Sequence, residues 1–207
     1  MEGKTKITRE DHARELLLFE QAWREKGPVA GIDEVGRGPL AGCVVAACVV
    51  MPAEPLIPWV DDSKKLSEGR REKVYEEIME TALAVGIGEV GPEEIDRINI
   101  LEATKKAMRI AAGQVNAERF LIDAVTGLGL AGEEIPIIKG DAQSYSIAAA
   151  SIVAKVYRDR KLRELDRIYP EYGFARNKGY GTREHIEALR RIGPCPEHRR
   201  SFIGNFV

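Results

Sequence analysis

The chain has 207 residues, 44% of them apolar and 31% charged, with a formal net charge of −2. That length suits one domain with at most a small appendage, and the composition excludes intrinsic disorder, collagen-like repeats and low complexity. The longest uncharged stretch, Gly38 to Ala53, falls short of the roughly 20 residues of a membrane-spanning helix, and three cysteines (Cys43, Cys48, Cys195) without a C-x-x-C pair suggest neither a disulfide framework nor a zinc knuckle.

Met1 to Arg14 is studded with charge and lacks the apolar core of a secretory signal, so the expected location is cytoplasmic. Thr8 is placed to cap a helix running to Ala22 through Leu16, Leu17, Leu18 and Phe19. Val29 to Asp33 reads as a short strand. After the Gly36-Arg37-Gly38-Pro39 break, Cys43 to Met51 reads as a second strand, valine-rich and buried on both faces. Prolines at 52, 55 and 58 mark a surface loop. The spacing of Val74, Ile78 and Met79 predicts a helix over Arg70 to Ala82, and Leu83 to Val90 a third strand ended by Gly91-Pro92. Ile100 to Val115 reads as helix, Arg119 to Val125 as a strand entering a glycine-rich turn, and Ile135 to Ile138 as a brief strand. Tyr145 to Ile168 is the longest helical pattern, with Ala148-Ala149-Ala150-Ser151 small enough for close packing. Tyr169 to Tyr180 reads as loop, and Thr182 caps a last helix over Arg183 to Ile192. Strands in adjacent pairs that then alternate with helices predict an α/β fold, a mixed sheet flanked by helices. No repeat or linker divides the chain.

Charge is unevenly spread. Lys155 to Arg200 holds 13 Lys or Arg against 7 Asp or Glu, and the remainder 18 against 26. An acidic body with a basic C-terminal quarter suits a protein that collects divalent cations and grips a polyanion. The alternative is a solvated helical surface.

Gly127-Leu-Gly129-Leu-Ala-Gly132 has the G-x-G-x-x-G spacing of a dinucleotide-binding turn. That motif needs a helix to begin there, so that free amides face the pyrophosphate. Glu133-Glu134-Ile135-Pro136 follows instead, and its carboxylates would repel a phosphate. This is a turn.

Acidic residues at strand ends carry more. Asp33 and Glu34 close the first strand, Asp123 lies inside Phe120-Leu-Ile-Asp-Ala-Val, and Asp141 follows Lys139-Gly140 after the brief strand. A carboxylate embedded in an apolar strand is expensive unless paired or bound to a cation. Oxygen donors without a His or Cys cluster point to Mg²⁺ or Mn²⁺, and two such ions are the apparatus of phosphodiester hydrolysis. Singly, each is better read plainly, Asp123 as pairing with a lysine or capping a turn and Asp33-Glu34 as a surface dipeptide; jointly they favour metal. Adjacent strand residues face opposite ways, so Asp33 and Glu34 share a site only if the strand ends or bulges there. Gly36-Arg37-Gly38 would let backbone amides approach a sugar-phosphate strand, or is simply a tight turn. In Asp62-Ser-Lys64-Lys65-Leu-Ser67 the lysines could meet phosphates, with helix capping by Ser67 as the plainer reading.

Several blocks closely resemble the bacterial ribonuclease HII family: Gly31-Ile-Asp-Glu-Val-Gly-Arg-Gly-Pro-Leu-Ala-Gly42, Asp62 to Ser67, Lys139-Gly-Asp141 with Ser146 to Ile152 and Ala154-Lys-Val156, Gly173-Phe174, and Lys178-Gly-Tyr-Gly-Thr182. They follow the family's order from about Val29 to Phe202. The resemblance implies a ribonuclease-H-like fold with a small helical C-terminal extension. One unit would span residues 1–207, with a catalytic α/β body over 1–168 and a basic loop and helical part over 169–207. It implies metal-dependent cleavage of RNA in RNA–DNA hybrids and on the 5′ side of a lone ribonucleotide in duplex DNA. Asp33, Glu34, Asp123 and Asp141 match the family's acidic residues and would hold two Mn²⁺ or Mg²⁺ ions. Gly36, Arg37 and Gly38 match its substrate loop, Tyr180 its ribose-sensing tyrosine, and Lys64 and Lys178 are expected to meet phosphate. A monomer is expected, with docking on a replication clamp left open. Two positions depart: Ala124 stands where glycine is common, and Asn177 where a histidine commonly precedes Lys-Gly-Tyr. The rivals are a DNA-directed nuclease of the same fold, with no need of Tyr180, and a non-catalytic hybrid-binding protein, with no reason to place acids at three strand ends.

Overall fold

The computed structural model describes residues 8–207; the charged segment 1–7 lies outside the described residues. Helix α1 (Arg9–Arg24) opens on a capping box in which Thr8 Oγ1 accepts from the Asp11 N–H and Asp11 returns a bond to the Thr8 N–H. Strands β1 (Val29–Val35), β2 (Val44–Val50) and β3 (Ala84–Val90) form an antiparallel meander, with α2 (Glu68–Thr81) between the last two. Helices α3 (Pro92–Ile98) and α4 (Ile100–Ala112) lead to β4 (Arg119–Asp123) and β5 (Glu133–Ile137), then α5 (Tyr145–Ile168). Short helices α6 (Phe174–Asn177) and α8 (Arg200–Ile203) flank α7 (Arg183–Ile192). The sheet order is β3-β2-β1-β4-β5, with β4 parallel to β1 and β5 parallel to β4.

Every residue of β2 is buried, as its unbroken apolar run predicts, because helices cover both faces of the sheet. Val45, Ala47 and Val49 pack with α1, α2 and α5; Val44, Ala46, Cys48 and Val50 pack with α4. Helix α5 comes so close to β1 that a Cβ on Gly31 would lie 2.1 Å from the Ser146 carbonyl carbon. Glycine at 31 and the small-residue start of α5 together bring its N-terminal half onto the strand that carries Asp33. A smaller apolar cluster joins Leu40, Leu162, Tyr172, Phe174, Leu189 and Ile203, with Phe202 and Phe206 packed beside it.

The structure adds elements that the sequence reading does not contain. Gly91-Pro92 does end β3, but Pro92 also begins α3, since proline at the first helical position gives up a donor that would be unpaired anyway. The loop expected over 169–180 contains a single 3₁₀ turn and α6. The G-x-G-x-x-G segment opens no helix: the N–H groups of Leu128 and Leu130 donate to Glu134 at 3.0 and 2.8 Å, so its amides close on the chain's own carboxylate. Among the described residues no helix is long and apolar enough to cross a membrane.

Candidate active site

The parallel pairing of β1 with β4 runs from Val29↔Arg119 to Ile32↔Ile122 and then stops. One residue further on, Asp33 and Asp123 stand side by side on adjacent strands. Beyond Asp123 the chain turns away through Ala124 at φ +52°. Strand β1 neither ends nor bulges at Asp33, contrary to the condition set by the sequence reading. It stays paired with β2 through Asp33↔Ala47, Glu34↔Ala46 and Val35↔Val45. What ends is its other neighbour, β4, and that opening leaves Glu34 electrostatically exposed to Asp123.

Burial raises the Asp33 carboxyl well above its ordinary range, with repulsion from Glu34 and Asp123 adding to the effect; the Ser151 hydroxyl and the Glu34 N–H, 2.8 Å away, offset part of it. Burial also raises Glu34 while Arg37 holds it down, its Nη1 3.6 Å from Oε1. The other oxygen, Oε2, is buried without a hydrogen-bond partner. Asp123 is raised by burial and by Asp141, against the pull of the Gly140 N–H, which donates to it at 2.8 Å. Asp141 lies in the 3₁₀ turn Gly140–Ala142 ahead of α5 and is buried, with Lys64 Nζ 3.4 Å from Oδ2. Among the described residues no three acidic, His or Cys side chains close into a ready-made cage. The acids gather at one sheet opening but stay apart, as unscreened like charges do.

These donors suit a hard divalent cation. All are carboxylate oxygens, three of them are pushed toward protonation by burial and by one another, and the orphaned Oε2 of Glu34 is a buried lone pair that a cation would satisfy.

Beside the acids lie two loops. The loop after β1 carries Gly36, Arg37 and Gly38. Gly36 has φ +92°, and a Cβ there would stand 2.3 Å from Arg158 Nε. Its bare Cα therefore faces inward to a buried guanidinium and not outward to a ligand. Gly38 does face open space, with only Tyr180 Cε1 near, at 3.7 Å from an added Cβ. Tyr180 is 46% exposed, so it is not a buried anchor. Its loop is fixed from behind. Buried Asn177 donates to Tyr172 O at 2.6 Å and accepts from the Gly179 N–H at 2.8 Å, His185 Nδ1 lies 2.9 Å from Tyr180 O, and the Leu40 N–H donates to Gly179 O at 2.8 Å. The departure at 177 thus leaves the loop well tied.

The two lysines differ. Lys64 is the exposed one, on the turn that Asp62 caps and near Asp141, and Ser67 does cap α2, as the plainer reading of this segment expects. Burial works against its charge, but Asp141, Asp62 and Asp33 hold its pKa above the ordinary value. Lys178 is mostly buried at φ +53°, its ammonium 3.7 Å from Glu68. Much of the basic quarter is likewise paired. Arg160 and Arg163 bind Glu68, Glu72 and Glu76 of α2, Lys161 binds Glu89, and Lys155 binds Asp159. The solvated, salt-bridged helix describes α5 better than a free basic face does.

A sheet ordered this way, with acids gathered where its two central parallel strands part, is the ground plan of the ribonuclease-H-like polynucleotide hydrolases. Within that class the likeness is specific. The ribonuclease HII family model matches residues 30–205. The chain is 53% identical over 193 residues to a ribonuclease HII of Caldanaerobacter subterraneus, covering 91% of this chain and 80% of that one. It is 57% identical over 196 residues to one from Syntrophobacter fumaroxidans, covering 93% and 84%. The ribonuclease HII of Archaeoglobus fulgidus, solved in complex with PCNA, superposes with a TM-score of 0.74 at 27% identity, over 86% of this chain and 96% of that one. The chain belongs to the ribonuclease HII family, and it is an endonuclease that degrades the RNA of RNA–DNA hybrids.

Proposed function

We propose that Asp33, Glu34, Asp123 and Asp141 hold two divalent ions, Mn²⁺ or Mg²⁺, and that the protein also cuts on the 5′ side of a single ribonucleotide in duplex DNA. The observation that carries the metal assignment is the meeting of acids from β1, β4 and the turn before α5 at one opening, with an unpartnered buried oxygen among them. Ions held by these four carboxylates would supply an activated attacking water and neutralise charge on the leaving 3′ oxygen, which would give 5′-phosphate and 3′-hydroxyl ends. The chain's part is placement. The Gly140 N–H aims Asp123, the Glu34 N–H aims Asp33, and Lys64 compensates Asp141 and meets a phosphate beside it. Arg37 steadies Glu34 and neutralises the strand entering the site. Gly38 gives the sugar edge access to backbone, and Tyr180 offers a phenol to the 2′-hydroxyl and a ring to the neighbouring sugar, which separates RNA from DNA.

The test is incubation of a duplex containing one ribonucleotide with the protein and Mn²⁺, followed by mapping of the ends. Cleavage 5′ of the ribonucleotide is expected, with an all-DNA duplex left intact. Cutting of the all-DNA duplex would favour a DNA-directed nuclease, and tight hybrid binding without cleavage a non-catalytic binder.

A further inference from the structure

Two arginines are fully buried, and neither hydrogen-bonds a carboxylate. Arg158 of α5 donates from Nε to Cys43 O at 2.9 Å, from Nη1 to Lys178 O at 2.9 Å and from Nη2 to Ala41 O at 3.1 Å. Arg199, just ahead of α8, donates from Nε to Gly42 O at 3.0 Å and from Nη1 to Arg37 O at 2.9 Å. Its Nη2 reaches Gly36 O at 2.6 Å and Gly42 O at 2.8 Å. Every acceptor is a main-chain carbonyl, and all but one belong to the 36–43 loop. Burying a guanidinium with no hydrogen-bonded counter-ion is costly, and these carbonyl dipoles, with Asp159 and Asp96 acting at longer range, offset it.

The consequence is a polarised loop. Its carbonyls point in toward the two guanidinium groups. Among the described residues, no group accepts a hydrogen bond from the N–H of Gly36, Arg37 or Gly38. Glycine at 36 is required because any side chain would displace the Arg158 guanidinium. The same two arginines tie the neighbouring parts together. Arg158 also holds Lys178 O of the tyrosine loop, and the segment carrying Arg199 runs beside the 40–42 stretch through the Arg199 N–H to Leu40 O bond, the Gly42 N–H to Glu197 O bond and the Ala41↔His198 bridge.

We propose that Arg158 and Arg199 are positioning residues: by drawing carbonyls of the 36–43 loop inward, they leave the exposed N–H groups of Arg37 and Gly38 as the face that receives an oxygen of the substrate strand, a phosphate or a ribose hydroxyl. This rests on the reading of that loop as a substrate contact. Such N–H groups, fixed in advance and backed by two positive charges in a low-dielectric interior, form an acceptor site before substrate arrives.

The first measurement uses the unmodified protein in EDTA, so that nothing is cut. Amide hydrogen exchange is followed with no nucleic acid, with an RNA–DNA hybrid, and with a DNA duplex of the same sequence. The Arg37 and Gly38 amides, both on exposed residues, should exchange freely in the free protein and become protected when hybrid binds. Protection by both duplexes assigns the accepted oxygen to phosphate, and protection by the hybrid alone assigns it to the ribose hydroxyl. The second measurement is hybrid affinity of Arg199→Met and Arg199→Lys, each checked for native circular dichroism. Arg199→Met should bind about tenfold more weakly, equivalent to about 1.4 kcal/mol, with Arg199→Lys between it and wild type. Should Arg199→Met fail to fold, the exchange experiment decides alone. Bound hybrid with these amides unchanged, or folded Arg199→Met with wild-type affinity, overturns the positioning role and leaves the nuclease reading standing. A wild-type protein that binds no hybrid overturns both.

Discussion

Replacing Ala124 with glycine should stabilise this protein. Ala124 is the first residue past β4, with φ +52°, and across it the Val125 N–H donates to Asp123 O at 2.6 Å, closing a three-residue turn. Its own N–H donates to Ile137 O at 3.1 Å, so β5 holds the turn and it cannot relax. The methyl group is exposed, and its removal forfeits little packing. A Cβ in the left-handed region costs roughly 1–2 kcal/mol. Against this, glycine adds unfolded-state freedom worth roughly 0.5–1 kcal/mol. The net gain is about 1 kcal/mol, which for a chain of this length raises Tm by roughly 2–4 °C.

The assay is thermal unfolding in EDTA, with Ala124→Val as the opposite control, since a β-branched residue tolerates that conformation less well. Cleavage by Ala124→Gly should stay near the wild-type rate, because the Gly140 N–H that orients Asp123 is untouched. A lower Tm for Ala124→Gly, or an unchanged one for Ala124→Val, would refute the strain assigned to this turn.

Asp33→Asn should abolish cleavage yet raise Tm in EDTA, since it removes one of several repelling buried charges and keeps the oxygen that accepts from the Glu34 N–H; a lower Tm would contradict the repulsion. Tyr180→Phe should cut a single-ribonucleotide duplex more slowly than wild type and Tyr180→Ala far more slowly, with all three melting within a few degrees; wild-type turnover by Tyr180→Ala would end the ribose-sensing role. His185 and His198 are buried with Nε2 atoms 2.9 Å apart, and burial lowers both pKa values, that of His198 to about 4. The unfolded chain protonates first, so the stability due to His198 is complete above pH 6.5 and declines as pH falls toward 4, by about 3 kcal/mol at most. Urea midpoints over that window should fall less for His198→Asn than for wild type, and parallel curves would count against a buried neutral pair.

Much of this architecture is legible in the sequence because it follows from local pattern. The unbroken apolar run of β2 requires a strand covered on both faces, and the small residues opening α5 require a close neighbour. Acids at three separate strand or turn ends are visible without any structure. What they do together is not, because the opening between β1 and β4 comes from a register that stops at Ile32↔Ile122, a long-range property. Likewise Pro92 looks alike whether it only stops a strand or also starts a helix. Gly36 looks like a residue that makes room for a ligand, when it makes room for Arg158.

The arginines are the deepest case. In sequence, Arg158 and Arg199 are members of a basic quarter, indistinguishable from Arg160 or Arg163 on the same face of composition. The fold sorts them into opposite fates: Arg160 and Arg163 pair with glutamates of α2, while Arg158 and Arg199 go inside with backbone carbonyls alone. That sorting changes what net charge means here. Paired arginines are largely neutralised at a distance, whereas unpaired buried ones project their charge through a low-dielectric interior onto the loop above them. Two residues beyond Glu34, the chain passes from a patch of mutually repelling carboxylates to a loop backed by two buried guanidinium groups that hydrogen-bond no carboxylate. A cation and a polyanion can therefore be drawn to adjoining parts of one site, although the whole chain carries a formal charge of only −2.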